Sequence, residues 1–344
     1  MILACCKHES FKKHGRDRKG NQRFRCRLCG ETWIEAQPKK LGGLRIDETT
    51  AKLALRLLAE GNSIRATERI TGLHRDTICK LLVFFGHECR RFLDRRMRGL
   101  TLQHLEFDEQ HTFVAKKNAR VHVDERRERR DIGDMFIWPC IEKDTKLMPS
   151  FLIGKRPADN ARRFMRDVAF RLNMPRPQDW LSTEFEKVVQ ISTDGFAGYP
   201  EAVDLAFGPY CKYGTIVKDY RNVDRRAGDY RPAKIVGTTR RPRFGMNEYE
   251  ARLIVTSHVE RANGTQRLML KRLNRLTYCF SKKLENLEAA FALFAAYYNY
   301  CWQTRRPGKS GKKRPTAAMM AKIAGHVWSF DELFEAVLKP ATQT

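Results

Sequence analysis

Apolar residues at helical spacing begin after a short linker near residue 40. The linker, residues 38–43, is indicated by its Pro, Gly and Lys content. Leu53, Leu57 and Leu58 then lie at positions i, i+4 and i+5 and predict a helix over residues 48–59, which ends at residues 60–62. Ser63 can cap a second, short helix that runs through Ile70.

A third helix is predicted over residues 75–85, after a four-residue turn that contains Gly72. Ile78, Leu81 and Leu82 lie on one side of it. Two helices joined by a short glycine-containing turn are typical of a helix-turn-helix, whose second helix presents its first residues to the DNA major groove. The residues that would face bases or phosphates are Arg75, Asp76, Thr77 and Lys80. The alternative is a three-helix packing unit with no DNA contact.

From residue 102 onward the pattern changes to one of strands. In Leu105-Glu106-Phe107-Asp108 the two acids share one face and the two apolar residues face the core. Further strands are predicted at residues 135–138, 148–153 and 188–195, and helices at 158–172 and 256–273. The buried strand 188–195 ends in Asp194 and Gly195, and ligand-binding residues favour the carboxyl ends of such strands.

Two further amphipathic helices are predicted, over residues 284–300 and 326–338. They would cover the core or make an oligomer contact, and the pattern favours core packing. The longest apolar run, residues 289–298, is shorter than the roughly 20 residues of a membrane span, which excludes a transmembrane protein. The first eight residues lack the pattern of a secretion signal, so we expect a cytoplasmic, nucleoid-associated protein and no membrane partner.

Composition indicates a globular protein with a large positive charge. The 344 residues are 42% hydrophobic and 31% charged, which excludes a disordered tail and predicts two or three domains. The net charge of +26 is typical of a protein that binds a polyanion, with nucleic acid favoured over an anionic membrane surface. Basic residues concentrate in residues 212–245, which include Arg240 and Arg241, and in residues 305–314. These two stripes are predicted to contact phosphates.

Four of the ten cysteines lie within the first 29 residues. The spacing Cys26-x-x-Cys29, followed by Gly30, suits two thiolates on one tetrahedral zinc ion. Cys5-x-x-His8 has the same spacing and is the preferred second pair, with Cys6 and His8 or His14 as the alternative. Because residues 1–33 contain few hydrophobic side chains, zinc would supply folding energy there. Ordinary thiols in a flexible arm remain the other interpretation.

Three carboxylates form the candidate catalytic set. Asp108 lies on one predicted strand, Asp194 ends another, and Glu260 lies on the predicted helix 256–273 together with Asn263 and Arg267 at i+3 and i+7. Three converging carboxylates can hold two Mg²⁺ or Mn²⁺ ions for phosphoryl transfer. Taken singly, Asp108 could be a strand-edge charge, Asp194 a turn residue and Glu260 an ion-pair partner of Arg261 or Lys271.

Several segments together resemble the transposases of the insertion sequence one family. They are Phe107-Asp108-Glu109-Gln110, Ser192-Thr193-Asp194-Gly195, residues 258–267 with the continuation 277–285, residues 22–26 with Trp33, residues 298–301 and residues 315–319. The resemblance spans almost the whole chain. It implies a ribonuclease H-like DDE core preceded by a zinc finger and a helix-turn-helix, with Asp108, Asp194 and Glu260 as the metal-binding triad and Asn263 and Arg267 as neighbours of the active site.

The resulting expectation is a multidomain α+β protein. Its parts are a zinc ribbon or knuckle (residues 1–37), a helix-turn-helix bundle (44–98), a ribonuclease H-like α/β core (102–303) and a basic linker with a C-terminal helix (304–344). The zinc finger would hold structural Zn²⁺ through Cys5, His8, Cys26 and Cys29, where the family usually has Cys-x-x-Cys first. The sequence departs from the family pattern again at residues 305–313, where a basic segment replaces a shorter connection.

The expected function is DNA transposition. The protein would bind the double-stranded terminal inverted repeats and the target DNA as a homodimer or larger assembly. It would cleave at each end to free a 3′-hydroxyl and join that hydroxyl to target DNA, using one metal pair for both steps. The alternatives are a DNA-binding repressor or inactive transposase, and a ribonuclease H-like nuclease that hydrolyses without joining.

Overall fold

The structure is a computed structural model that describes residues 8–18, 20–34, 40–175, 189–221, 234–274, 276–304 and 313–339. It contains two compact units, Met1–Arg45 and Ile46–Thr344. The described part is a mixed α/β protein with a small antiparallel sheet in the first unit and a larger mixed sheet surrounded by helices in the second.

The small unit is a three-stranded antiparallel sheet in the order β1-β2-β3. Its strands are β1 (Phe11–Arg16), β2 (Gln22–Cys26) and β3 (Thr32–Ile34). The rings of Phe11, Phe24 and Trp33 contact one another, with centroids 5.4–6.2 Å apart. Among the described strand residues of this sheet, Cys26 is the only buried one. A sheet with so small a core needs additional support to fold.

Three helices open the large unit: α1 (Glu48–Ala59), α2 (Ile64–Thr71) and α3 (Arg75–Arg96). The Ser63 hydroxyl accepts a hydrogen bond from the backbone N–H of Ala66, which confirms the predicted cap of α2. Gly72 ends α2 with a φ of +72°, a left-handed conformation that glycine adopts without steric cost. The helix pattern predicted for residues 48–85 is therefore confirmed.

Two details of these helices differ from the prediction. Leu53 is 44% exposed, and α1 instead buries Ala51, Ala54 and Leu55 together with Leu58. Helix α3 continues eleven residues beyond residue 85, because apolar residues recur on its buried face as far as Leu93. The helical spacing of apolar residues correctly predicted that α1 forms. Which face of α1 is buried depends on the elements that pack against it.

The large sheet has the strand order β10-β9-β8-β4-β6-β5, and β7 pairs with β6. The strands are β4 (His104–Phe107), β5 (Gln110–Val114), β6 (Gly133–Glu142), β7 (Phe151–Gly154), β8 (Val189–Asp194), β9 (Cys211–Arg221) and β10 (Lys234–Phe244). The three central strands β4, β8 and β9 are parallel, and the other pairs are antiparallel. Carboxyl ends of the parallel strands therefore meet at one edge of the sheet.

Helices cover this sheet. The remaining ones are α4 (Val123–Glu128), α5 (Ala158–Arg171), α6 (Tyr199–Phe207), α7 (Ser257–Met269), α8 (Leu284–Tyr300), α9 (Ala317–Met320) and α10 (Phe330–Leu338). The side chain of Phe107 packs on Phe164 of α5, while its neighbour Glu106 contacts the start of α7. Since neighbouring strand residues point to opposite faces, α5 and α7 lie on opposite faces of β4. Both Leu105 and Phe107 are in the core, as predicted.

The predicted elements of this region match with shifted ends. The strand at residues 135–138 is the centre of β6, whereas the strand expected at 148–153 begins only at Phe151. Strands β5, β9 and β10 and helices α4, α6 and α9 were not predicted. Helix α7 ends at Met269 and is followed by a 3₁₀ turn, Lys271–Leu273. Helix α10 starts at Phe330 because Ser329 and Glu332 form a capping box there.

Helix α8 forms the centre of the helical layer. Thirteen of its residues are buried, which fits the core-packing interpretation of residues 284–300. It packs directly on α3 at Gly86, where a Cβ would lie 2.5 Å from the Cα of Ala289. Glycine is required at this contact because the two helix backbones touch.

In the part of the chain that the structure describes, no helix is both long and apolar enough to cross a membrane.

Candidate active site

Two aspartates meet at the carboxyl edge of the parallel strands. Asp194 is the last residue of β8, and Asp108 directly follows β4. The two strands are parallel neighbours with Glu106 opposite Ser192, a register that places Asp108 opposite Asp194. Carboxylate oxygens of Asp108, Asp194 and also Glu109 lie within 4.8 Å of one another. The structure therefore forms an acidic cluster around two of the three predicted catalytic residues.

Asp108 is held by two hydrogen bonds on the protein side. Its Oδ2 accepts from Nδ2 of Asn263 at 2.6 Å, and its Oδ1 accepts from the backbone N–H of Glu109 at 2.9 Å. Burial, followed by the charges of Asp194 and Glu260, raises the pKa of Asp108 to about 6 against the opposing effect of the Glu109 N–H. This carboxylate is thus oriented for a ligand and surrounded by excess negative charge.

Glu260 lies on the first turn of α7 and is exposed. It is close enough to raise the pKa of Asp108, although it is not among the three acids whose oxygens lie within 4.8 Å of one another. Its Oε1 pairs with Nζ of Lys218 at 2.5 Å and accepts a hydrogen bond from the Thr256 hydroxyl at 2.7 Å. The ion-pair partner is thus Lys218 on β9, and not the Arg261 or Lys271 considered from the sequence.

The two supporting residues on α7 differ in exposure. Asn263 is 3% exposed and makes the bond to Asp108 described above. Arg267, one turn further along, is half-buried. The helix face that carries Glu260, Asn263 and Arg267 therefore passes from solvent into the interior.

Sequence reasoning gave no role to Glu109 and Arg156. The Glu109 side chain is only 2% exposed, and its Oε2 pairs with a guanidinium nitrogen of Arg156 at 3.0 Å. Arg156 also lies 3.8 Å from Asp194 and over the ring of Phe196. Burial, followed by the charge of Asp194, raises the pKa of Glu109 to about 8. Adjacency to Asp108 was a signal for Glu109, but no spacing pattern points to Arg156.

The acidic cluster fits a divalent cation by its chemistry. All of its candidate ligand atoms are carboxylate oxygens, which Mg²⁺ and Mn²⁺ prefer over the nitrogen and sulfur ligands that zinc favours. The raised pKa values of Asp108 and Glu109 reflect burial and mutual repulsion, which a bound cation would relieve.

A second group of possible metal ligands lies in the small unit. Ligand atoms of His8, Cys26 and Cys29 lie within 4.8 Å of one another, and Cys29 Sγ is 3.5 Å from His8 Nδ1. Gly30 follows with a φ of +76°, which permits the tight turn expected after the cysteine pair. His14, on β1, is not in this group. Cys5 and the alternative Cys6 lie outside the described residues.

The predicted DNA-contacting residues of α3 are at its first turns. Arg75 and Lys80 are exposed, and Thr77 is half-buried. Glu68 of α2 accepts a hydrogen bond from the backbone N–H of Arg75 at 2.9 Å, which fixes the start of α3 against α2. The side chains of Arg75 and Lys80 are therefore displayed on a fixed helix end.

The basic stripes are only partly described. Arg240 and Arg241 lie on β10, in a long hairpin with β9. Arg240 donates to the backbone oxygen of Ile254 at 2.9 Å, and Arg241 is exposed. Residues 222–233 at the end of this hairpin, and residues 305–312 of the second stripe, lie outside the described residues.

Comparisons with known proteins give little beyond this geometry. No family model and no curated protein matches the chain. Among solved structures, the chain is similar to a piggyBac transposase in a synaptic complex with hairpin DNA, determined by cryo-electron microscopy. The TM-score is 0.36 at 10% identity, over 88% of this chain and 75% of the other. At these values the likeness carries no argument about the fold or the chemistry.

Proposed function

We propose that the protein is a DNA transposase with a ribonuclease H-like core, in which Asp108, Asp194 and Glu260 hold two Mg²⁺ or Mn²⁺ ions. The observation that carries this proposal is the meeting of Asp108 and Asp194 at the carboxyl ends of adjacent parallel strands, with Glu260 close enough to raise the pKa of Asp108. When bound, the ions would activate the attacking oxygen and stabilise the departing one.

The chain's own residues position the reacting groups. Asn263 fixes the rotamer of Asp108 through its hydrogen bond. Lys218 and Thr256 fix Glu260. Little covalent chemistry is asked of the protein in phosphoryl transfer, so orientation and charge neutralisation carry the rate.

The reaction has two balanced steps. Water attacks the phosphodiester at each end of the element, which breaks the bond to the 3′ oxygen and leaves a 3′-hydroxyl and a 5′-phosphate. The freed 3′-hydroxyl then attacks a target phosphodiester, joins to its phosphorus and releases a target 3′-hydroxyl. Since two ends must be processed together, the active assembly is a dimer or larger.

DNA binding is assigned to three regions. Arg75, Thr77 and Lys80 at the start of α3 would read the terminal inverted repeats. Arg240 and Arg241 on the β9–β10 hairpin would contact phosphates of flanking or target DNA. The His8, Cys26 and Cys29 group, with Cys5 as fourth ligand, would hold structural Zn²⁺ in a DNA-contacting finger. The overall charge of +26 supports a polyanionic partner.

The deciding experiment compares wild type, Asp194→Asn and Asp204→Asn. Asp204 is an exposed aspartate on α6 and serves as the matched control. Each purified protein is incubated with Mg²⁺ or Mn²⁺ and a plasmid that carries this gene with its native flanks, and 3′ ends and joined products are mapped. Wild type and Asp204→Asn should cut at matching inverted repeats and form new joints, whereas Asp194→Asn should lose orders of magnitude in rate.

Other outcomes would favour another function. Tight DNA binding by wild type without any cut would indicate a DNA-binding repressor or an inactive transposase. Cuts without joints would indicate a nuclease that only hydrolyses.

A further inference from the structure

Glu106 is a buried carboxylate that contacts the helix carrying Glu260. Its side chain is 1% exposed and lies on β4, two residues before Asp108. Its Oε2 accepts the backbone N–H groups of His258 and Val259 at 2.8 and 3.0 Å, and its Oε1 lies 2.6 Å from Nδ1 of His258. A buried carboxylate is tolerated when such donors satisfy it.

These contacts satisfy two backbone N–H groups in the first turn of α7. The first backbone N–H groups of a helix have no partner within the helix, and a negative charge is stabilised there by the helix dipole. In α7 no side-chain cap comes from the preceding residue Thr256. Glu106, which is more than 150 positions away in sequence, therefore replaces a local cap and ties α7 to β4.

A second contact completes the attachment one turn later, where Asn263 donates to Asp108. The two contacts together fix α7 along β4, so that Glu260 is held close enough to Asp108 to raise its pKa. Such a restraint is needed because like charges repel, and the charges of Asp194 and Glu260 both disfavour the ionised form of Asp108. Without it, the three carboxylates would separate more easily whenever no cation lies between them.

We propose that Glu106 is a positioning residue that pre-organises the metal site by fixing the start of α7 against β4. This inference rests on the proposed function, since it assumes that Asp108, Asp194 and Glu260 bind the metal together. Glu106 is not in the acidic cluster of Asp108, Glu109 and Asp194, and it would act on that cluster through α7. Partners that orient metal ligands from behind typically change metal affinity or activity by about 10- to 100-fold when they are removed.

Glu142 provides a matched control on the same sheet. It is a glutamate of β6 that is 2% exposed and also accepts backbone N–H groups, those of Asp144 and Thr145. It pairs with Leu105, toward the amino end of β4 and away from Asp108. It also belongs to a separate group of possible metal ligands with His104 and Asp144. DNA cleavage, in which that other group has no assigned role, is therefore the readout on which the Glu142 variants serve as controls.

The experiment measures Mn²⁺ affinity of the full chain from the electron paramagnetic resonance signal of free Mn²⁺, below the unfolding temperature of every variant. Wild type, Glu106→Ala, Glu106→Gln, Glu142→Ala and Glu142→Gln are compared, and DNA cleavage is assayed beside them. Glu106→Ala should weaken Mn²⁺ binding about tenfold or more and reduce cleavage in parallel. Glu106→Gln, which keeps one oxygen to accept the N–H groups, should lie between it and wild type.

Glu142→Ala should lower the unfolding temperature as Glu106→Ala does and leave the DNA cleavage rate within a factor of about two. Equal DNA cleavage rates in Glu106→Ala and Glu142→Ala would overturn the inference while leaving the proposed function intact. If Glu106→Ala does not fold, the same comparison between Glu106→Gln and Glu142→Gln decides. Failure of wild type both to bind Mn²⁺ and to cleave DNA would overturn the proposed function and this inference with it.

Discussion

Asp108 combines two opposing requirements in one side chain. In the proposed function it must be ionised to bind a cation, yet burial and the charges of Asp194 and Glu260 favour its protonated form. Among the described residues, the Asn263 amide and the Glu109 N–H are the two groups that stabilise its charge by hydrogen bonds. The metal-free protein therefore carries a destabilising charge at neutral pH, and a bound cation removes it.

Replacing that charge should stabilise the metal-free protein. The pKa of Asp108 is about 6 when folded and 3.8 in its ordinary state, so the folded chain binds this proton more tightly than the unfolded chain. Stability is therefore lost as the pH rises from about 4 to 6, and the loss is complete above pH 6. Asp108→Asn avoids this loss, and the buried Asn263 amide can flip to face the new amide with its oxygen.

In EDTA at pH 7.5, the free energy of unfolding of Asp108→Asn should exceed that of wild type by on the order of 1–3 kcal/mol, and the variant should unfold at a higher temperature. The difference should shrink toward pH 4, where Asp108 is protonated in wild type. Thermal unfolding at pH 4, 5.5 and 7.5 measures it. A variant that is no more stable than wild type at pH 7.5 would contradict this view of Asp108. Added Mn²⁺ should stabilise wild type more than the variant.

Single residues were predictable where the strand pattern fixed their place. Asp108 and Asp194 could be predicted because each lies at the end of an apolar stretch of strand. The structure brings both of them into one acidic cluster. Lys218 and Arg156 could not be predicted in the same way, because they reach the site from elements far away in sequence. Glu106 was predicted only to share a face with Asp108. Its role at α7 depends on which helix covers that face, and a single strand does not encode this.

At the scale of elements, the small sheet β1–β3 contrasts with the rest of the chain. Its aromatic residues touch one another but remain half-exposed or exposed, and its one buried strand residue, Cys26, is itself a candidate zinc ligand. The apolar area that it removes from water is too small to offset the entropy of ordering it. In the proposed function, metal ligation by this group would supply the missing contribution to folding.

Cys29→Ala should therefore unfold the small unit. The expected results are loss of one equivalent of zinc per chain and rapid proteolysis within residues 8–34, because structural zinc supplies folding energy directly. Cys279→Ala, an exposed cysteine outside the ligand group, should keep both zinc and protease resistance. Zinc content by elemental analysis and limited proteolysis measure the two effects. A wild-type protein without zinc, whose proteolysis is unchanged by chelators, would contradict the prediction.

Most helices and strands of the large unit were predictable because apolar residues recur at different spacings in a helix and in a strand. The ends were less so, since they depend on caps and neighbours: α3 extends past residue 85, and α10 starts at the capping box of Ser329. Strand β5 was missed because its five residues, Gln110–Val114, mix polar and apolar side chains without an extended run. Its place comes from pairing with β6, a long-range contact that a local pattern does not contain.

For the whole molecule, the net charge of +26 dominates any encounter with DNA. Each phosphate contact releases counterions, so the logarithm of the binding constant should fall steeply with the logarithm of salt concentration. Exposed arginines of β10 contribute to that slope if the hairpin holds DNA.

Arg241→Ala should reduce the magnitude of this slope by about one. Arg91→Ala, an exposed arginine on α3 about 24 Å along the helix axis from Arg75, should leave the slope unchanged. Binding to duplex DNA measured between about 50 and 200 mM salt tests both variants. An unchanged slope in Arg241→Ala would remove β10 from the DNA contacts and leave the assignment of α3 standing.

The contact of Gly86 with Ala289 has a consequence for the distance between the DNA-binding turn of α3 and the acidic cluster. α3 and α8 touch backbone to backbone there, and this contact restrains the position of α3 against the helical layer. A DNA sequence bound by that turn would then always lie at one fixed distance from Asp108 and Asp194. The position of the cut would be counted from the recognised bases by the dimensions of the protein, and moving the recognised bases along the DNA would move the cut by the same number of base pairs.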